Sequence, residues 1–278
     1  SVHLGDFVMA YLGSGLQRFN TANGLTVSGN TEVDGGTIKL DGNYPTGTGN
    51  VALGNQALDD GSLSGNNNTA VGSDSLSANT SGTENAAVGS QSLDGNTTGN
   101  YNSSIGHNSL SANTTASHNS AIGYNALASN STGAQNTALG STALDANTTA
   151  SNNTAVGYTS LGVNTTGTSL VAVGAYCLDA NTTGSSNVAL GQHALGANTT
   201  GTHNTALGNT AGYTNTESGY NTFIGNAAGY TANGSGATQL VYIGHNSGHL
   251  TTTATLNTGV GNQSLYTNTT GSQNTAIG

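Results

Sequence analysis

The sequence predicts an all-β fold: a repetitive β-solenoid or β-roll with coils of about 17 residues, assembled in parallel as a homotrimeric fibre. Three observations predict it. A pattern Asn-Thr-Ala-aliphatic-Gly closes on fourteen glycines from Gly54 to Gly278, 17 residues apart except for 18 between Gly54 and Gly72 and 19 between Gly225 and Gly244. Such a fixed short period marks a repeat architecture in which each unit is stable only by stacking on the next. Each unit holds two short apolar beats separated by Gly/Asn turns, and no apolar pattern recurs at 3.6 residues, which disfavours helix. Finally, the apolar content per unit is small. Burying two aliphatic side chains does not offset the ordering of 17 backbones, so association with further copies is expected to supply the remainder.

Residues 1–49 precede the repeats. Leu25, Val27, Val33, Ile38 and Leu40 lie among Gly-Asn and Gly-Gly turns and predict short strands in a connector. Ser1 to Asn20 is consistent with either a strand pair or a short helix. Residues 50–278 form the repeat shaft. With the closing glycine as position 0, position −1 is Val, Ile or Leu in all fourteen units, and position +4 is Leu in ten of thirteen. Position −4 is Asn in twelve of fourteen, with Leu170 and Leu240 the exceptions, and a second turn signal such as Asn96 to Gly99 occupies +7 to +10. Stacked coils rise by about 4.8 Å each, so fourteen of them predict a shaft of about 60 Å. The expected interior is aliphatic at −1 and +4, with an amide ladder from Asn −4.

Composition narrows the function. Charged residues are 5% of the chain and Gly is 43 of 278. Both basic residues, Arg18 and Lys39, precede the repeats, against eight acids from Asn50 onward. Without Lys or Arg the shaft has no means of holding phosphate, which argues against nucleic acid and anionic lipid as partners. It also offers trypsin-type proteases no target, which fits an extracellular setting. No apolar run is long enough for a spanning helix, and no basic leader opens the chain. The last residue completes a repeat with no cap, so the chain is expected to begin and end inside a longer protein.

The units Asn-Thr-Ala-(Val/Ile/Leu)-Gly with Asn-Thr-Thr-Gly spacers resemble the repeat shafts of bacteriophage tail fibres over about Asn50 to Gly278. They are also similar to the heads of YadA-type trimeric autotransporter adhesins, although the period here is longer. The stretch Gly24 to Gly36 looks like the strand-rich segment that leads into phage fibre shafts. The resemblance implies a homotrimer in an extracellular or virion setting. The expected function is a structural shaft that displays a receptor-binding tip lying outside this chain, with a host glycan or receptor bound there.

Candidate sites are few. Cys177 stands where other units have Ala or Ser and reads as a packed small side chain. The histidines His107, His118, His193, His203, His245 and His249 are scattered over four repeat positions, so no metal site is expected. Asp59 and Asp60 are the only adjacent acids, and neighbouring strand residues point to opposite faces, so no catalytic pair and no cofactor are expected. Sequons such as Asn113-Thr114-Thr115 read as turn chemistry. Between Asn209 and Leu250 the pattern breaks: Leu +4 becomes Gly212, Gly229 and Gly248, while Ala −2 becomes Phe223 and Tyr242. Repacking of aromatics into the space left by leucine is one reading. An aromatic glycan-contact patch of Tyr213, Tyr220, Tyr230, Tyr242 and His245 is the other. Two further function classes stand behind the fibre. An ice-binding solenoid is suggested by Thr pairs such as Thr97/Thr98, although adjacent threonines point to opposite faces. A glycan-degrading enzyme lacks paired acids.

Overall fold

The structure, a computed structural model, describes residues 47–232 and 237–278. The connector strands expected before residue 47 lie outside the described residues. Fourteen three-residue strands, from Val51–Leu53 to Thr275–Ile277, form one parallel sheet whose spatial order is the sequence order. Each strand pairs with that of the next coil at equivalent positions: Thr137 opposite Thr154, Ala138 opposite Ala155, Leu139 opposite Val156. The register survives both irregular intervals, with Val51 opposite Thr69 and Thr222 opposite Val241. The extra residues are therefore absorbed outside the strands. The result is a β-solenoid of about 13 turns with coils of about 17 residues.

Each coil contains one strand rather than two. The second apolar beat, Leu +4, lies in a turn with left-handed backbone, as at Leu58 (φ 49°), Leu127 (φ 56°) and Leu195 (φ 49°). Positions +2 and −5 are left-handed as well, for example Asn125 (φ 53°) and Gln135 (φ 60°). This conformation costs an L-residue about 1–2 kcal/mol, and hydrogen bonds between coils hold it. Leu127 N–H donates to the Ala143 carbonyl at 2.9 Å, Asn125 N–H to His107 at 3.1 Å and Gln135 N–H to Ser117 at 3.2 Å. The turns are thus laddered coil to coil almost as the strands are. At position 0 glycine is required twice over. Gly123 has φ +139°, and a Cβ there would lie 2.5 Å from the Gly140 carbonyl oxygen of the next coil.

The interior differs from the expected one at a decisive position. Leu +4 is buried from Leu58 to Leu195 and partly buried at Leu265, as expected, but the aliphatic residue at −1 points outward: Leu53, Ile105 and Leu190 are 46–48% exposed. Alternation along a strand sends neighbours to opposite faces, and the inward residue is Ala −2, as in Ala87, Ala121 and Ala155. Leu +4 is the large side chain that the coils bury in common, while Leu63, Leu170 and Leu240 are buried as additional leucines in single coils. Ala −2 and the small residue at +3 fill the remainder.

Two columns of buried asparagine complete the core. At −4, the side-chain oxygen of an Asn accepts a hydrogen bond from the backbone N–H of the equivalent residue in the next coil; Asn119 N–H donates to Asn102 Oδ1 at 3.0 Å. Its amide donates to a turn carbonyl, Asn102 Nδ2 to Ala116 at 2.9 Å. The stronger side-chain ladder is at +7, where Asn113 Nδ2 donates to Asn96 Oδ1 at 2.8 Å and also to Ala116 at 3.0 Å. Two Asn columns therefore converge on one column of carbonyls, which satisfies groups whose burial would otherwise be costly. The last bond of this ladder is from Asn198 Nδ2 to Asn181 Oδ1 at 2.8 Å. Asn215 Nδ2 donates to the Ser218 carbonyl at 3.2 Å, Ala232 takes the place of Asn in the next coil, and the Oδ1 atoms of Asn198 and Asn215 are without a partner.

Candidate functional site

The five residues read as a glycan-contact patch do not form one cluster. Tyr213 and Tyr230 share position +5 and stack, whereas Tyr220, Tyr242 and His245 stand at −5, −2 and +1 and have other ring or hydrogen-bond partners. Tyr242 is fully buried, which removes it from any surface patch. Its hydroxyl accepts a hydrogen bond from Thr251 Oγ1 at 2.9 Å and one from Asn257 Nδ2 at 3.4 Å, while burial raises its pKa. Phe223 is buried beside it, with ring centroids 6.1 Å apart. Both rings fill the space vacated by leucine. A Cβ on Gly229 would lie 2.3 Å from the Phe223 ring, and one on Gly248 would lie 2.2 Å from the Tyr242 ring. The repacking reading of the irregular coils is therefore correct for these two aromatics.

The other patch members go elsewhere. Tyr220 stacks on His203 with centroids 4.9 Å apart, and His245 Nδ1 lies 3.1 Å from Asn262 Oδ1. Tyr213 and Tyr230 stack on each other at 5.4 Å. They belong to a longer column that was not evident from the sequence. Tyr158, Tyr176, His193, Tyr213, Tyr230, His249 and Tyr266 contribute one ring from each of seven consecutive coils, with successive centroids 5.0–5.8 Å apart. Their near-period spacing was the available signal. The drift from position +1 through +2 to +5 hid it. In the stacked pairs the ring faces cover each other, so mainly edges face solvent.

The outer face of the sheet is a continuous, regular surface. Position −1 presents Val, Ile or Leu from every strand, and position −3 presents mostly Thr, Ser or Val beside it. None of the eight acids of the shaft falls at either position. In-register pairing makes each a straight column along the solenoid. The threonines at +8 and +9 behave differently from this pair. Thr97 Oγ1 donates to the Thr114 carbonyl at 3.0 Å, whereas Thr98 is exposed.

The groups that carry chemistry elsewhere are built into the scaffold. Cys177 is buried, its thiol donates to the Ala189 carbonyl at 3.3 Å, and burial pushes its pKa up to about 12. It is packed and unreactive, as expected for its position. Asp94, Asp145 and Asp179 share position +5, and partial burial raises the pKa of each. Asp60 is instead held low by hydrogen bonds from the Ser62 hydroxyl and N–H. Among the described residues no group of three or more His, Cys, Asp or Glu could hold a metal ion. Asn113 of the sequon is fully buried in its ladder. No helix of the described residues is long and apolar enough to cross a membrane. Comparison with protein-family models, curated proteins and solved structures finds no match for this chain.

Proposed function

We propose that this chain is the structural shaft of an extracellular or virion fibre, non-catalytic, which self-associates in parallel as a homotrimer and spaces a receptor-binding tip from its base. The observation that carries this reading is the uncharged outer face of the sheet, where the −1 aliphatic of each of fourteen consecutive strands faces outward, exposed in seven of them and partly exposed in the other seven. Monomeric proteins rarely expose a continuous apolar patch beyond about 300–600 Å². Partly exposed aliphatics on fourteen strands amount to an area on the order of the ~800 Å² per partner that a standard interface buries. Copies of the same column running in the same direction present equal rises per coil, so parallel association matches their side chains rung for rung. Sedimentation and electron microscopy of the purified chain test the reading. A threefold mass with thin rods supports it, and a monodisperse monomer rejects it.

The same face favours a second reading. Thr −3 and the aliphatic at −1 form a flat outward Thr-x-aliphatic rank, as at Thr137/Leu139 and Thr154/Val156, of the kind an ice-binding solenoid needs. This outward pair is separate from the adjacent Thr-Thr pairs. Thermal hysteresis by a monomer would favour this reading over the fibre.

A further inference from the structure

We propose that Tyr213 and Tyr230 are a site of oxidative modification, a tyrosine pair positioned to become covalently coupled by a peroxidase-class one-electron oxidant with hydrogen peroxide. The argument starts from the backbone. The two residues occupy position +5 in successive coils, and their main chains are pinned by the inter-coil ladder. Ala197 N–H donates to the Tyr213 carbonyl at 2.9 Å, and Thr214 N–H donates to the Tyr230 carbonyl at 3.0 Å. Thr214 Oγ1 adds a second bond to that same Tyr230 carbonyl at 2.9 Å. Their rings are stacked, with centroids 5.4 Å apart and planes 22° from parallel, and both are partly exposed. The other surface tyrosine pair among the described residues, Tyr158 and Tyr176, meets edge to face at 84°.

The chemistry needs two phenols to meet ring to ring. Each phenol gives up one electron and one proton to become a tyrosyl radical. The two radicals join through their ortho carbons, and each ring regains aromaticity as its ortho hydrogen moves to the phenolic oxygen. The net loss is two hydrogen atoms, which reduce one hydrogen peroxide to two waters. Stacked ortho carbons need a small slide to bond, whereas an edge-to-face pair must rotate a ring. The column also limits the reaction. His249 lies between Tyr230 and Tyr266, with centroids 5.0 and 5.1 Å from them, and His193 separates Tyr213 from Tyr176. One tyrosine couple is thereby isolated within a seven-ring stack. The bond would clamp adjacent coils at Gly212 and Gly229, where the leucine column of the core is interrupted.

The test uses the whole chain, treated with horseradish peroxidase and hydrogen peroxide. Glu217 separates the two tyrosines, and the other glutamates are Glu32 and Glu84. Cleavage at glutamate under denaturing conditions therefore releases peptide 218–278 from 85–217 unless a crosslink joins them. The expected result is dityrosine fluorescence, a loss of two hydrogens within one chain, and joined peptides whose fragmentation places the link at Tyr213–Tyr230. Tyr213→Phe and Tyr230→Phe, each with an unchanged circular dichroism spectrum, should remove that joined product. Tyr158→Phe should leave it. The proposal is overturned if coupling follows exposure alone and joins different chains through Tyr101, Tyr124 or Tyr220. It is equally overturned if Tyr213 and Tyr230 are recovered unmodified. A misfolded Phe variant does not remove the test, because mapping the wild-type crosslink decides it.

Discussion

Leu127 holds a backbone conformation that leucine ordinarily avoids, and it does so because its side chain is the one large apolar group its coil buries. Replacing it with Ala leaves a cavity between coils and is expected to cost about 2–5 kcal/mol, read by urea unfolding. Leu127→Ile should cost more than its volume predicts, because a β-branched side chain tolerates left-handed φ poorly. Asn113 acts through hydrogen bonds instead. Asn113→Ala removes its donor to Asn96 Oδ1 and one of two donors to the Ala116 carbonyl. Each buried group left unsatisfied costs about 1–3 kcal/mol, so this exchange should destabilise the shaft within that range. The carboxyls of Asp94, Asp145 and Asp179 supply a pH dependence. Burial raises their folded pKa above the ordinary 3.8, so the folded state binds protons more tightly than the unfolded one. Their contribution favours folding at acid pH and is lost as pH rises through the folded pKa. The melting temperature is expected to increase from pH 7 to pH 4, and Asp94→Asn should raise it at pH 7 while flattening the profile. A melting temperature that falls on acidification would contradict this.

At the level of the element, a coil is a module whose contacts are made almost wholly to the coils before and after it. Removing residues 124–140 deletes one complete unit of 17 and brings equivalent positions back into contact. The shortened chain should remain folded, with a shaft about 4.8 Å shorter. Removing residues 124–131 alone would set strand against turn and break both Asn ladders. That variant is expected to lose its β spectrum. The irregular coils show how far a unit can vary. Phe223 and Tyr242 replace alanine, Gly212, Gly229 and Gly248 replace leucine, and the strand register is unchanged. In the coils closed by Gly225 and Gly244, volume lost at +4 is regained at −2.

Over the whole solenoid, the proposed association rests on the sheet face. The shaft carries eight acids and no Lys or Arg, so lysine or arginine ion pairs between copies cannot drive assembly through it. Burial of the −1 column can. Assembly is therefore expected to persist in high salt, where apolar burial holds and charge repulsion is screened. Ile105→Asp together with Ile122→Asp should reduce the sedimenting mass to that of a monomer while the β spectrum remains, because both side chains already face outward. If the mass stays that of an oligomer, association uses another face.

The period of 17, the Asn and Gly turn chemistry and the buried Leu at +4 were legible in the sequence, because stacking requires every coil to repeat the same local solution. The repacking of Phe223 and Tyr242 was legible too, since glycine replaced leucine in the same coils. The direction of the −1 aliphatic was not. Hydrophobicity says that a side chain prefers to leave water, not whether its own coil or a neighbouring chain offers the place. Only the three-residue strand, with Ala −2 turned inward, settled that Ile105 and its equivalents face out. Likewise the column from Tyr158 to Tyr266 depends on where the turns aim positions +1, +2 and +5, which differ in repeat numbering and meet in one column between successive coils. Local patterns determined the repeat. The closed path of the coil decided which residues share a surface.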